Sequence, residues 1–347
     1  MPAAFPAGGN VFVKDHRATG ALVVDYSRNM NDFALNRYVQ IRNVAKESGY
    51  YLEMTVEEAG RVLNTDLVDF VWPDGQDRPL RNEGTESFNF KAYQTQRYDY
   101  GFNLGDKAVD QADWDIVAGH SRIKAQQAMT ARTQLALAAL TNTDNYDASH
   151  TSDVDAISGN TGSWAESTAA LQDIKRSLNH AAKIIKRDTL GAVKARDLKL
   201  VLGPDTAMEV AQSPEVVEHI KHSQHSLAQI RGEQPGRNVE FGLPDFLYGY
   251  EVAVEDAVKV TTHKGASSVT RSYLLGSGEA LLVARPGDLM APGGGPSFST
   301  IMIFAYEELT VETLHDQRNR RTEGHVVDDI SVVMTAPATG FYFTSAV

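Results

Sequence analysis

The sequence predicts an α+β fold, and three observations carry that reading. An aromatic stripe of period two lies between residues 79 and 106. A long Ala-rich segment follows over 111–140, and four strand-like stretches fill the C-terminal part. The order is ribbon, long helix, α/β region, then β, which segregates strands and helices instead of alternating them throughout. The chain has no internal repeat.

In chain order, residues 1–50 open on a Pro/Gly-rich start. They continue through DYSRNMNDFALNRYVQIRNVAKESGYYLEM, which predicts a strand, a short helix and a return strand around Tyr50–Met54. This part does not form a self-sufficient core. Turn chemistry at Pro73-Asp74-Gly75 and Asn82-Glu83-Gly84 breaks the next segment. Phe88, Phe90, Ala92, Tyr98, Tyr100, Phe102 and Leu104 then fall on even positions. Successive side chains of a strand point to opposite faces, so these residues share one face of an extended ribbon.

The segment QADWDIVAGHSRIKAQQAMTARTQLALAAL, 111–140, is rich in strong helix formers. Counted from Asp113, a continuous helix would run about 40 Å at ~1.5 Å per residue, and Gly119 could interrupt its first turns. Residues 141–163 read as polar loop. Ser163 and Glu166 have capping-box spacing. Leu171, Ile174, Leu178, Ala181 and Ile185 follow at intervals of three and four, the pattern of an amphipathic helix. LKLVLGPDTAMEVAQSPEVVEHIKHSQ, 198–224, reads as strand, Gly-Pro turn, short helix and second helix. Ser213 is the expected N-cap of that second helix, with Pro214 at its first position. Strand-like stretches follow at 246–260, 271–284, 298–314 and 330–347.

Composition narrows the function classes. At 347 residues the chain can bury a large core, and its length suggests two or three domains. No apolar run reaches the roughly 18 residues of a spanning helix, so no membrane partner is expected. The first residues lack the basic start and apolar stretch of a secretory signal. Zero Cys excludes disulfides, thiolate catalysis and Cys-based metal sites, which fits a reducing cytoplasm. A net charge of −12 means that phosphates repel the chain as a whole. Its dense basic patch, Arg318, Arg320 and Arg321, sits beside Glu312, Asp316 and Glu323 and reads as a solvated helix end.

No motif assembles an enzyme. APGGGPSFST, 291–300, lacks the Lys and the following helix of a phosphate-binding loop, and no G-x-S-x-G elbow occurs. His219, His222 and His225 recur every three residues, and the first two could share a helix face and bind a metal. Val216, Val217 and Ile220 mark that helix's apolar face, so the histidines read as its polar one. Asp153 to Gly159 departs from a calcium loop, with Ile157 at the fifth position and no Glu at the twelfth. Asp113 and Asp115 stand at a helix start, where the macrodipole favours acids. No catalytic, cofactor or metal residues are assigned.

Taken together, the parts resemble one family, the major capsid protein of tailed bacteriophages with the Hong Kong 97-type fold. LKLVLGPDTAMEVAQSPEVVEHIK is similar to the family's central strand, Pro-containing turn and following helix. FGLPDFLYGYEV, 241–252, resembles its Gly-x-Pro entry to a strand, and the ribbon-then-helix of 79–140 resembles its extended loop and spine helix. By that resemblance residues 1–50 are an N-terminal arm and 51–107 the extended β-ribbon loop. Residues 108–145, with the spine helix, and 305–347 then form a discontinuous peripheral domain, and 146–304 the axial domain.

The resemblance implies a structural protein that assembles with itself, as hexamers and pentamers, into an icosahedral head. That head would enclose double-stranded DNA without sequence-specific binding, and would be made in the cytoplasm of a bacterial host. Scaffolding protein, portal and decoration protein are the further partners implied. The chain departs from the type member in lacking a long N-terminal helical segment, which implies a separate scaffold or a processed form. Lys91 lies on the ribbon, where some family members cross-link, and reads as an ordinary solvated lysine. Phe88, Phe90, Tyr98, Tyr100 and Phe102 are expected to pack on a neighbouring subunit, because no compact partner precedes the ribbon. Two other readings stay open: an encapsulin-like cellular compartment of the same fold, and a metal-dependent hydrolase using His219 and His222.

Overall fold

The computed structural model describes residues 28–53, 74–75, 90–112, 114–221, 240–262, 267–285 and 299–347. A one-turn helix α1 (Leu35–Tyr38) precedes strands β1 (Gln40–Asn43), β2 (Ser48–Leu52), β3 (Phe90–Gln94) and β4 (Gln96–Gly105). Helices α2 (Asp106–Gln111) and α3 (Ile116–Leu140) follow, then β5 (Thr151–Ser152) and α4 (Asp173–Asp188). Next come β6 (Leu198–Leu202), α5 (Pro204–Gln212) and α6 (Pro214–Lys221). Strands β7 (Phe246–Leu247), β8 (Tyr250–Val254), β9 (Val258–Val260), β10 (Arg271–Tyr273) and β11 (Ala280–Ala284) lead into β12 (Ile301–Asp316), β13 (Arg321–Met334) and β14 (Phe341–Phe343).

Among the described residues these strands form a four-stranded sheet, β1-β12-β13-β4, and a six-stranded sheet, β5-β14-β11-β6-β8-β7. Two short ribbons, β2-β3 and β9-β10, complete them. The inner strands of the six-stranded sheet, β6, β8, β11 and β14, are largely buried on both faces, which explains why they read as nearly continuous apolar runs. Leu198, Leu200, Leu202, Leu282, Phe341 and Phe343 face a core that includes Ile174, Leu178 and Ile185 of α4. The intervening Val201, Ala253, Leu281, Val283 and Tyr342 face a second core. Ile301, Ile303 and Ile330 of the four-stranded sheet enter this same second core, as do Met129, Leu137 and Leu140 of α3. One shared core therefore joins the two sheets.

Helix α3 starts where the side chain of Asp115 accepts a hydrogen bond from the Ala118 amide at 2.9 Å. Gly119 stays helical, so the expected interruption is absent, and 25 residues give a rod of about 37 Å at ~1.5 Å each. Its buried positions, Ala125, Ala128, Met129, Arg132, Thr133, Ala136, Leu137 and Leu140, recur at three and four and form one stripe. Within that stripe Arg132 meets Asp328 of β13 in a fork, Nε to Oδ2 at 2.7 Å and Nη2 to Oδ1 at 2.6 Å. Both side chains are almost fully buried.

Two expectations need correction. The amphipathic helix does not start at Ser163: residues 164–166 form a separate 3-10 turn without a side-chain cap, and α4 begins at Asp173. Its cap comes from a distance. The fully buried Glu215, at the start of α6, accepts hydrogen bonds from the Ile174 and Lys175 amides at 3.1 and 3.3 Å. The Ser167 and Tyr248 hydroxyls donate to the same carboxylate at 2.5 and 2.6 Å. The patch at Arg318–Arg321 is a β-hairpin turn, where Arg321 pairs with Asp316 and Glu323, and no helix ends there. Residues 335–347 cross to the six-stranded sheet, where β14 pairs with β11 and β5. Ahead of the ribbon, β1 runs parallel to β12, and Phe33, Leu35 and Tyr38 lie in the shared core. The expected Ser213 cap is observed, with its Oγ 3.4 Å from the Val216 amide.

Replacing Asp328 by Ala leaves the Arg132 charge buried and uncompensated, which should cost about 3–5 kcal/mol. Urea unfolding of the unassembled subunit measures this. The double replacement Arg132→Met with Asp328→Leu should recover most of the loss.

Candidate functional site

The ribbon changes its surroundings part-way along. In β2 and β3, Tyr50 stands opposite Ala92 and Leu52 opposite Phe90, and directly opposed residues share a face. That outer face is open: Tyr50 is 77% exposed, Phe90 59% and Leu52 37%. The inner face carries Tyr51 and Tyr93, whose ring centres lie 5.9 and 4.5 Å from that of Phe304 in β12. The ribbon thus rests on the four-stranded sheet by one face and presents an apolar strip on the other.

Thr95 separates β3 from β4, and there the pairing partner switches from β2 to β13. Position parity continues, but the environment reverses. Tyr98 packs against the shared core, and Tyr100 against Ala125, Ala128 and Val326. The Phe102 ring lies 5.7 Å from that of His120 and covers Gly324 on β13. A Cβ at Gly324 would come within 2.2 Å of the Phe102 ring, so only glycine admits this stacking. The expectation that the stripe lacks a partner in its own chain is therefore corrected over β4, where Tyr98, Tyr100 and Phe102 are half-buried by β13 and α3. Phe88 lies outside the described residues. Sequence parity alone could not reveal the switch, because β13 is more than two hundred residues away.

Lys91 is exposed, as expected of a solvated lysine, and also forms an ion pair. It pairs with the nearly buried Glu53 at 2.7 Å, beside a cavity of about 560 Å³ that Asn145, Asp147 and Met334 also line. Further exposed apolar side chains lie at the sheet edges: Phe246 on β7, Val258 and Val260 on β9, Val311 and Leu314 near the β12–β13 turn.

The buried ionisable groups are committed to structure. His150 has no solvent exposure. Its Nδ1 lies 2.7 Å from the Gly340 carbonyl oxygen, and its Nε2 lies 3.0 Å from Asp188. Glu255 on the loop after β8 is also fully buried. It accepts the Tyr38 hydroxyl at 2.7 Å and the Ala257 amide at 3.2 Å, while Arg28 pairs with the adjacent Asp256 at 2.5 Å. His219 is exposed and meets the Tyr248 ring edge-on, whereas His222 and His225 lie outside the described residues. Among the described residues no group of three or more His, Asp or Glu converges as a metal site, and no helix is long and apolar enough to cross a membrane.

No protein-family model and no curated protein matches the chain. Solved structures do. A phage-related protein from Bordetella bronchiseptica RB50 superposes with a TM-score of 0.61 at 13% identity, covering 92% of this chain and 94% of that one. The mature capsid chain of bacteriophage PhiM1 gives 0.51 at 14% identity, with 92% and 89% covered. The capsid chain of a native GTA particle gives 0.51 at 12% identity, with 98% of both chains covered. The fold is that of a phage capsid subunit. In a capsid-type fold, the exposed strip on β2 and β3 is the candidate functional surface.

Burial raises the Glu255 carboxyl from its ordinary 4.5 to about 7, although the Tyr38 and Ala257 hydrogen bonds oppose the shift. The folded chain therefore retains a proton that the unfolded chain releases near pH 4.5. Its stabilising contribution is complete below that value and is lost as pH rises through about 7. Between about pH 5 and about pH 8 the melting temperature should fall more for the native sequence than for Glu255→Gln. Parallel profiles would show that Glu255 is not the titrating group.

Proposed function

We propose that this chain is a structural major capsid protein, which assembles as hexamers and pentamers into an icosahedral phage head around double-stranded DNA. The observation that carries the reading is an exposed aromatic strip on a capsid-type fold. Tyr50, Leu52 and Phe90 sit on the outer face of a ribbon whose other face is already packed. An apolar strip left open invites aggregation, and a closed shell covers it in every copy. The four-stranded sheet with α3 corresponds to the peripheral domain and the six-stranded sheet to the axial one. Lys91 on β3 pairs with Glu53, which follows β2, and so links the two strands of the ribbon. Scaffolding protein, portal and decoration protein remain the partners expected of such a head, the virion its location and the host cytoplasm its place of assembly.

Negative-stain microscopy of the expressed chain tests the reading. Shells, hexamers or pentamers support it, and a small discrete monomer with scaffold present overturns it. Shells that package a cargo enzyme in place of DNA would favour the cellular compartment. The ribbon is tested by Tyr50→Ser with Phe90→Ser, which should preserve the far-UV circular dichroism spectrum and abolish assembly in sedimentation. Each aromatic buried at an interface removes about 100–200 Å² from water, worth about 2.5–5 kcal/mol at ~25 cal/mol per Å². By contrast, Tyr100→Ser should destabilise the subunit itself, because Tyr100 packs on α3 of its own chain.

A further inference from the structure

The chain carries a net charge of −12, yet one face of α4 is basic along its whole length. Lys175, Arg176, Lys183, Lys186 and Arg187 lie on that face, and Lys194 joins them from the segment that follows. Two adjoining depressions of about 380 and 690 Å³ share Asn179 and Lys183, which makes them one trough beside the helix. Among the described residues no carboxylate lines either depression. The acids of the helix are withdrawn from it: Asp173 is buried against Thr161, and Asp188 is buried against His150 and also holds Arg187. Lys175, Lys183 and Lys186 form no ion pair among the described residues. Burial, and then the charge of Lys183, hold His180 in this trough below its ordinary pKa.

The lining chemistry selects the ligand. Among the described residues the trough holds a single ring, the His180 imidazole, and no Phe, Tyr or Trp, so successive unpaired bases have no run of platforms to stack on. The three unpaired lysines span about 16 Å at ~1.5 Å per residue. They act as point charges without the fixed fork of Arg, which suits phosphates met in varying positions. Duplex DNA presents a uniform run of phosphates, about one per 1.7 Å of axis. An acidic protein surface intersperses its carboxylates with cations.

We infer that this trough binds the phosphate backbone of double-stranded DNA without reading its sequence. The inference rests on the capsid reading for its partner. The acidic remainder of the subunit keeps the attachment weak, as suits a cargo that is later released.

Fluorescence anisotropy of the full chain with a labelled 30-base-pair duplex, across a salt series, tests it. The variant Lys175→Gln, Lys183→Gln, Lys186→Gln should keep its circular dichroism spectrum and bind at least about tenfold more weakly at low salt. Its log-affinity against log-salt slope should be shallower by about 3, close to one for each phosphate that a lysine no longer neutralises. An unaltered chain that ignores the duplex, or a variant with unchanged affinity and slope, overturns the inference. So does a poly-glutamate peptide that binds the trough when the duplex does not, which would assign it to an acidic protein partner. Microscopy of the same two preparations keeps the readings separate. Shells that do not hold DNA through α4 remove the trough and leave the capsid. DNA bound through α4 by a chain that never assembles does the reverse.

Discussion

The buried fork between Arg132 and Asp328 ties α3, the longest helix among the described residues, to β13, an inner strand of the four-stranded sheet. Desolvating two charges is expensive, and only a bidentate geometry recovers most of that cost. The pair therefore tolerates one rotation of α3 and one register of β13. A slip of one residue would turn Asp328 to the other face of its strand. With the rotation set, Ala125 and Ala128 meet Tyr100, while Met129, Ala136, Leu137 and Leu140 reach the shared core. The small alanines let the helix lie close enough for the fork to form.

That shared core makes one body of two sheets. Alternate residues of β6, β8, β11 and β14 face opposite sides, so each strand serves a private core and the common one. The chain passes between the sheets at Ser299 and Thr300, both fully buried. The Thr300 hydroxyl accepts the Ala284 amide and bonds the Thr339 hydroxyl, both at 2.9 Å, and the Thr335 amide bonds the Thr300 carbonyl at 3.1 Å. Entry and exit strands are thus clamped at one point, and the polar groups of the crossing are satisfied internally.

On this rigid base the ribbon is a graded element. Its β4 portion belongs to the subunit core, its β2–β3 portion rests by one face on Phe304, and its outer strip stays open. A strip held in this way would lose little freedom on docking, so in the proposed shell more of its apolar burial would be available to association. The basic face of α4 lies on a different element, packed against the private core by Ile174, Leu178, Ala181 and Ile185. The strip proposed to meet other copies and the trough proposed to meet DNA therefore lie on separate elements and can be altered independently.

The sequence alone was sufficient for the order of elements, the long Ala-rich helix, the Ser213-Pro214 helix start and the even-position stripe. These are local signals, set by propensity, capping and side-chain periodicity within a few residues. It was also sufficient for the α+β class and for a resemblance that rests on the order of parts. It was silent wherever the partner is distant. The cap of α4 comes from Glu215 some forty residues on, where the serine at 163 offered a nearer and wrong candidate. The even stripe has one parity but two environments, because pairing with β13 begins only after Thr95. The cations of α4 are spread over thirteen positions and look ordinary in a linear reading, until helical winding gathers them and burial removes Asp173 and Asp188. A chain specifies its local periodicities directly. Which face ends up covered depends on groups that only the tertiary fold brings together.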